Sequence, residues 1–259
     1  MSGFIFIAAS SGSRSINKPF KIVTAPDTSG LDSCAPLIEK ELKKAPAITL
    51  NKNVASFVKD YIKKNGYFLG KTRGRTAPYF TIMDSVFAQN ELPVELKYLA
   101  FVESGLKHNA KSWSGAVGPW AFMPVAAKQY GLKIAGKKDE RLDYSKSTLA
   151  AAGLLSDLYD MYGDWLLVIA AYNCGPGGIQ KAIKRSGSHN YWALQSFLPE
   201  ETRKHVKKFI AVHYYFEGQG SVATMTKTEK EKHIKAMEVF EAKQQEPVKV
   251  DSLSTATTK

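Results

Sequence analysis

Apolar side chains return every three or four positions along most of this chain, and nowhere convincingly every second position. The first spacing is that of helices burying one face; the second would mark strands. Val54, Phe57, Val58, Tyr61 and Ile62 predict a helix over 53–64. The basic stretch "GKTRGRTA" (70–77) then reads as a loop, because glycine weakens helices. Phe80, Met83, Val86 and Phe87 restart a helix over 78–89. Asn90 as a cap and Pro93 in the first turn open the next one. Its stripe is Leu96, Leu99, Val102 and Leu106, and Glu103 borders that stripe. Aromatic residues and Gly/Pro breaks make 111–124 a shaped loop. Short helices follow at 125–130, ended by Gly131, and at 146–163, ended by its own glycine. Asp164 caps "WLLVIAAYN", which is apolar nearly all round and so predicts a central buried helix. "CGPGG" (174–178) stops it, and two more helices are expected, one from 178 and one over 200–216. The pattern predicts an all-α protein with no internal repeat.

The flanks differ from this centre. Residues 1–50 read as leader and extended linker, with a helix at 35–44. Residues 51–217 are the expected helical domain, and 218–259 a Lys/Glu-rich tail, with a surface helix over 228–245 and a disordered end. Residues 3–9 are a short apolar run followed by small residues, at the lower limit for an export signal and lacking its basic start. They are expected to belong to a leader that begins before this numbering, which would place the protein in the periplasm or cell envelope. No apolar run approaches the roughly 20 residues of a membrane helix.

Charge narrows the partners. With 36 Lys and Arg against 24 Asp and Glu among 259 residues, the formal charge is +12. A polyanionic partner fits: nucleic acid, anionic lipid or an acidic wall polymer. No nucleic-acid motif accompanies the charge, so nucleic acid is the weakest of these readings. The two cysteines, Cys34 and Cys174, make no Cys-x-x-Cys pair, which argues against structural zinc. They read as free thiols, the alternative being a disulfide that needs spatial proximity.

Chemistry concentrates at two places. In "YLAFVESGLKH" (98–108) a carboxylate ends a stretch that otherwise looks like core. Burial of a carboxyl favours its neutral form, which is what a general acid needs. From spacing alone, a Glu103 that pairs with a nearby Lys or caps the backbone is the simpler reading. The Gly/Pro/aromatic loop eight residues on shifts the balance, because such loops let backbone approach a ligand closely. In "AAYNCG" (170–175), Tyr172 and Asn173 end the apolar helix at a glycine break. C-capping explains Asn173 well and Tyr172 poorly.

Five motifs stand in order: "ESG" at 103–105, "S-x-x-GAVGPWAFMP" over 112–124, "DERLD" at 139–143, "AYNCGPG" at 171–177 and "LPEET" at 198–202. Each alone is weak, but the series resembles lytic transglycosylases, in particular those of the membrane-bound murein D type, over about 54–216. The resemblance implies an all-helical goose-type lysozyme-like domain, a monomer without metal or cofactor, acting on peptidoglycan glycan strands. It implies that Glu103 performs both proton transfers of a cleavage between MurNAc and GlcNAc that ends in a 1,6-anhydro ring. Ser104, Ser112, Met123, Tyr172, Asn173 and Glu201 match positions that line or flank the family's cleft. Two positions depart from the pattern. Ala121 stands where the family has Gln, and His205 where it has Tyr. His205 can substitute in the cleft or sit on a solvated helix face between Lys204 and Lys207. A hydrolytic goose-type lysozyme and a non-catalytic wall-binding protein of the same fold are the alternative functions. The tail is too polar and strand-poor to be a LysM wall-binding module, and the basic charge could replace that affinity through peripheral contact with membrane or wall.

Overall fold

The computed structural model describes residues 45–135 and 138–245. The expected helix at 35–44, the leader, Cys34 and the chain end lie outside the described residues. The fold is all-α, as the periodicity predicts. Eight α-helices occur among the described residues: α1 (Lys52–Gln89), α2 (Lys97–Ser104), α3 (Pro124–Gln129), α4 (Tyr144–Tyr162), α5 (Trp165–Ser186), α6 (Tyr191–Leu194), α7 (Glu200–Glu217) and α8 (Lys227–Gln245). A two-stranded antiparallel sheet, β1 (Ile134–Ala135) with β2 (Lys138–Asp139), is a small addition that periodicity could not show. No described helix is long and apolar enough to cross a membrane.

Two expectations fail. Asn90 does not open the next helix; it closes α1, its Nδ2 donating to Val86 O at 2.7 Å. The basic stretch 70–77 is not a loop; it is the middle of α1, which runs unbroken for 38 residues with Pro78 inside it. Leu69, Thr72, Thr76 and Phe80 keep a buried stripe running through the stretch. Thr72 and Thr76 turn their hydroxyls back onto the carbonyls of Leu69 and Arg73, at 2.8 and 2.9 Å. Tertiary burial therefore overrides the weak propensity of the glycines. Pro78 leaves the Gly74 carbonyl without its intrahelical donor, but on the exposed side, where water can replace it.

The core forms around the first half of α5. Its residues Trp165, Leu166, Leu167, Val168, Ile169, Ala170 and Ala171 are all buried, so this helix faces protein on every side. Helix α4 packs on α5 and on α1, α7 packs on α1, α2 and α5, and the interior is continuous. Asp164 caps α5 as its position predicts, accepting from the backbone N–H groups of Leu166 and Leu167 at 3.0 and 3.1 Å. Its other oxygen accepts from Lys227 N at 2.7 Å.

The described residues form two compact units. Ala47–Lys230 makes up the first, so the start of the polar tail belongs to it. Ala223 and Thr226 are fully buried there, and Glu229 accepts from Thr226, Trp192 and Asn51. Among the described residues, the second unit holds Ala45, Pro46 and Glu231–Gln245.

Candidate active site

Helix α2 is short and ends at a left-handed glycine, Gly105, whose N–H bonds back to Phe101 O at 2.8 Å. Its buried face is Tyr98, Leu99, Ala100 and Phe101. Glu103 is in the last turn, half-buried at the margin of that face. The packing of α2 on α7 brings Glu103 to His205, and Oε1 lies 2.7 Å from Nε2. The side chains keep only 16% and 9% of their exposure, so this pair is largely withdrawn from water. His205 is therefore in the cleft, and the solvated-face reading of this residue is overturned. Its other ring nitrogen, Nδ1, is buried without a partner.

Around the pair opens a cavity of about 500 Å³, lined by Glu103, Asn173, Glu201, Lys204, His205 and Lys208 among others. Glu200 also borders it and is bound to Lys204, one turn further along α7. That contact holds the Glu200 carboxyl below the usual range. Asn173 is fixed by Thr202, whose Oγ1 donates to Asn173 Oδ1 at 2.8 Å. This bond ties the end of the first half of α5 to the start of α7. Just beyond, Gly175 (φ 75°, ψ 158°) breaks α5, so the "CGPGG" stop is real, although the helix resumes to Ser186.

The loop over 111–122 lies next to the end of α2 and contributes no residue to the lining of the cavity. Val117 makes isolated bridges to Lys111 and Phe122. A buried arginine pins it: Arg141 Nη1 donates to the carbonyls of Gly115 and Phe122, at 3.1 and 3.0 Å. Arg141 is held in turn by Asp139, whose carboxyl it keeps below the usual range. Gly118 (φ 86°) has Arg141 O where a side chain would begin: a Cβ there would lie 1.9 Å from it. Trp120 is fully buried and donates from Nε1 to Thr148 Oγ1 at 3.0 Å.

Two bonds tie the loop to the end of α2 and to the first half of α5. Ser104 Oγ donates to Pro119 O at 2.7 Å, and Tyr172 Oη donates to Trp120 O at 2.6 Å. Burial, and secondly the negative charge of Glu103, pushes the Tyr172 phenol well above its usual range. Tyr172 is thus a proton-retaining brace near Glu103.

The candidate residues accordingly separate. Glu103, Asn173, Glu201 and His205 line one cavity. Ser104 and Tyr172 hold the 111–122 loop through the carbonyls of Pro119 and Trp120. Ser112 is exposed and serves its own loop, meeting Ser114 Oγ and accepting from Ala116 N, both at 2.9 Å. Met123 is half-buried at the N-terminus of α3 and is not among the lining residues. Ala121 takes a left-handed φ of 49°, so the departure from Gln falls at a strained turn. Sequence reasoning missed Lys204 and Lys208 as cavity residues and Arg141 as the pin. For Arg141 the signal was present in "DERLD", an arginine between acids beside a loop rich in carbonyls.

Glu103 from α2, Asn173 from the end of the first half of α5, and Glu201 and His205 from α7 thus share one cavity in a helical fold. The family model described as Transglycosylase SLT domain matches residues 86–195, and the chain carries a domain of that family. Among curated proteins, the Membrane-bound lytic murein transglycosylase D of Escherichia coli (strain K12) is 36% identical over 180 residues, covering 68% of this chain and 39% of that protein. The Peptidoglycan transglycosylase gp16 of Escherichia phage T7 is 32% identical over 119 residues, covering 45% of this chain and 9% of that one. This chain therefore spans well under half the length of these relatives. Among solved structures, the complex of the 70-kDa soluble lytic transglycosylase with bulgecin A superposes with a TM-score of 0.51 at 19% identity, covering 82% of this chain and 40% of that one. That likeness is one of fold.

Proposed function

We propose that this protein is a peptidoglycan lytic transglycosylase of the cell envelope, with 51–217 as its catalytic domain and Glu103 as the group that moves the proton. The observation that carries the reading is Glu103 itself, largely shielded from water at the edge of a cavity large enough for sugar. The family match supports it. In the proposed reaction Glu103 gives its proton to the oxygen between MurNAc C1 and GlcNAc, and the C1–O bond breaks. The substrate's N-acetyl carbonyl stabilises the electron-poor C1. The resulting carboxylate then takes the proton of the MurNAc 6-hydroxyl as that oxygen bonds to C1. Glu103 ends protonated, ready for another cycle, and no water is consumed. Two carboxylates serve ordinary glycosidases; here the nucleophile is on the substrate and already near, so one suffices.

Asn173 and Glu201 face the same space and are assigned to the sugar, while Ser104 and Tyr172 keep the loop in register with Glu103. Ser112 and Met123 are assigned to the outer part of the glycan path. The experiment is Glu103→Gln on purified sacculi. Loss of about 10²–10⁴-fold in muropeptide release is expected, with sacculus binding retained. Unchanged release would remove Glu103 from the mechanism. The Glu103–His205 contact favours one second reading, a wall-binding protein whose carboxylate is locked in an ion pair. A wild type that binds sacculi and releases nothing at any pH would establish that reading instead.

A further inference from the structure

Helix α1 carries a feature that the cavity does not use. Residues 61–83 hold five cations, Lys63, Lys64, Lys71, Arg73 and Arg75, and no acid. At about 100° per residue, Lys63, Lys64, Tyr67, Phe68, Lys71 and Arg75 fall in one sector roughly 140° wide. The buried positions Val58, Leu69, Thr72 and Thr76 lie opposite. All six residues of the sector are exposed, and Tyr67 retains 85% and Phe68 54% of full exposure. Arg73 lies outside it and donates to Phe216 O at 3.1 Å. Asp60, one turn earlier, is the acid at its edge, and Ser56 Oγ donates to it at 3.4 Å.

Solvated helix faces commonly carry lysines. Two adjacent aromatic rings in their midst, left open to water, are what solvation does not explain. We propose that this face of α1 docks on an anionic lipid surface, with Tyr67 and Phe68 seated at headgroup level and Lys63, Lys64, Lys71 and Arg75 against the lipid phosphates. Charge complementarity selects an anionic partner. The aromatic pair selects lipid over a polymer, since rings with an apolar body belong at a membrane interface, whereas a polyanion needs only the cations. The inference stands independently of the reaction assigned to the cavity.

The test is co-sedimentation of the full chain with vesicles of equal parts phosphatidylglycerol and phosphatidylcholine, against pure phosphatidylcholine, over a salt series. Wild type should bind the anionic vesicles, and less as salt rises. Each cation replaced by Gln should weaken binding about fivefold, so the fourfold variant at Lys63, Lys64, Lys71 and Arg75 should lose it. Tyr67→Ser with Phe68→Ser should weaken binding with the charges intact. Both variants replace exposed groups, so their thermal unfolding should match wild type. Equal affinity for both vesicle types would overturn the proposal. So would absent vesicle binding, or substitutions that weaken only binding to isolated sacculi, which would assign the face to the wall polymer.

Discussion

His205 puts a titratable ring against the one side chain on which the proposed chemistry depends. The other charged groups of the cavity are Glu200, Glu201, Lys204 and Lys208, all from α7, with Asn173 and Tyr172 from α5 uncharged. A neutral imidazole can hold the Glu103 proton in a hydrogen bond. A protonated one needs acceptors for both N–H groups, and Nδ1 has none. His205→Tyr puts a hydroxyl where the ring nitrogen meets the carboxyl, and muropeptide release from sacculi should be kept or raised. His205→Phe leaves Glu103 Oε1 without this partner and should release less. Equal release by wild type and both variants would detach His205 from Glu103. Tyr172→Phe is a separate test: the carbonyl of Trp120 loses its donor while the ring stays. About 1–2 kcal/mol of stability should be lost in chemical denaturation, along with activity, if the brace matters. The half-buried position of Glu103 was legible in the sequence because it borders the apolar stripe of α2. The contact with His205 was not, since it joins positions 102 residues apart.

Helices and their stops were legible wherever local chemistry and burial agree. Asp164 before an apolar run and Gly163 after one each satisfy backbone groups by themselves, so their positions predict their roles. The stretch 70–77 shows where such reasoning runs out. Gly70 looks like a loop residue, yet a Cβ there would lie 2.9 Å from Tyr215 Oη, and that hydroxyl donates to Gly66 O at 3.0 Å. These glycines are adjacent to a tyrosine from α7, a partner that no local window contains. At the loop 111–122 the same logic yields a prediction. Gly118→Ala forces a methyl into the Arg141 carbonyl and must displace the loop or the 3₁₀ turn Glu140–Leu142 that carries it. A cost of roughly 2–4 kcal/mol is expected, read from thermal or denaturant unfolding, together with loss of activity. An unchanged melting temperature would show that the loop is not pinned as described. Arg141→Met should likewise loosen the loop, leaving the Gly115 carbonyl without its donor and the Phe122 carbonyl with Val117 N alone.

At the level of the whole molecule two buried ionisable groups pull stability in opposite directions over one pH range. His213 is fully buried, and burial lowers it from 6.5 to about 4. Its share of stability is complete above about 6.5 and is lost as pH falls toward 4, because the unfolded chain takes up the proton first. Asp164 is raised by burial from 3.8 to about 6. Its share is complete below about 3.8 and is lost as pH rises through 6. Each is worth about 3 kcal/mol, so wild type should melt at nearly the same temperature between pH 4.5 and 6.5. His213→Gln leaves Asp164 unopposed, and its melting temperature should rise as pH falls across that range. A profile parallel to wild type would contradict the burial assigned to His213. The central claim, however, concerns the bond that is cut and how the new end is closed. Mass spectrometry of the products released from sacculi by the purified protein tests it most directly. The products should be muropeptides ending in 1,6-anhydro-MurNAc, one water lighter than hydrolytic products, and should be lost with Glu103→Gln. Reducing MurNAc ends alone, from the same active preparation, would contradict it and make the protein a hydrolase.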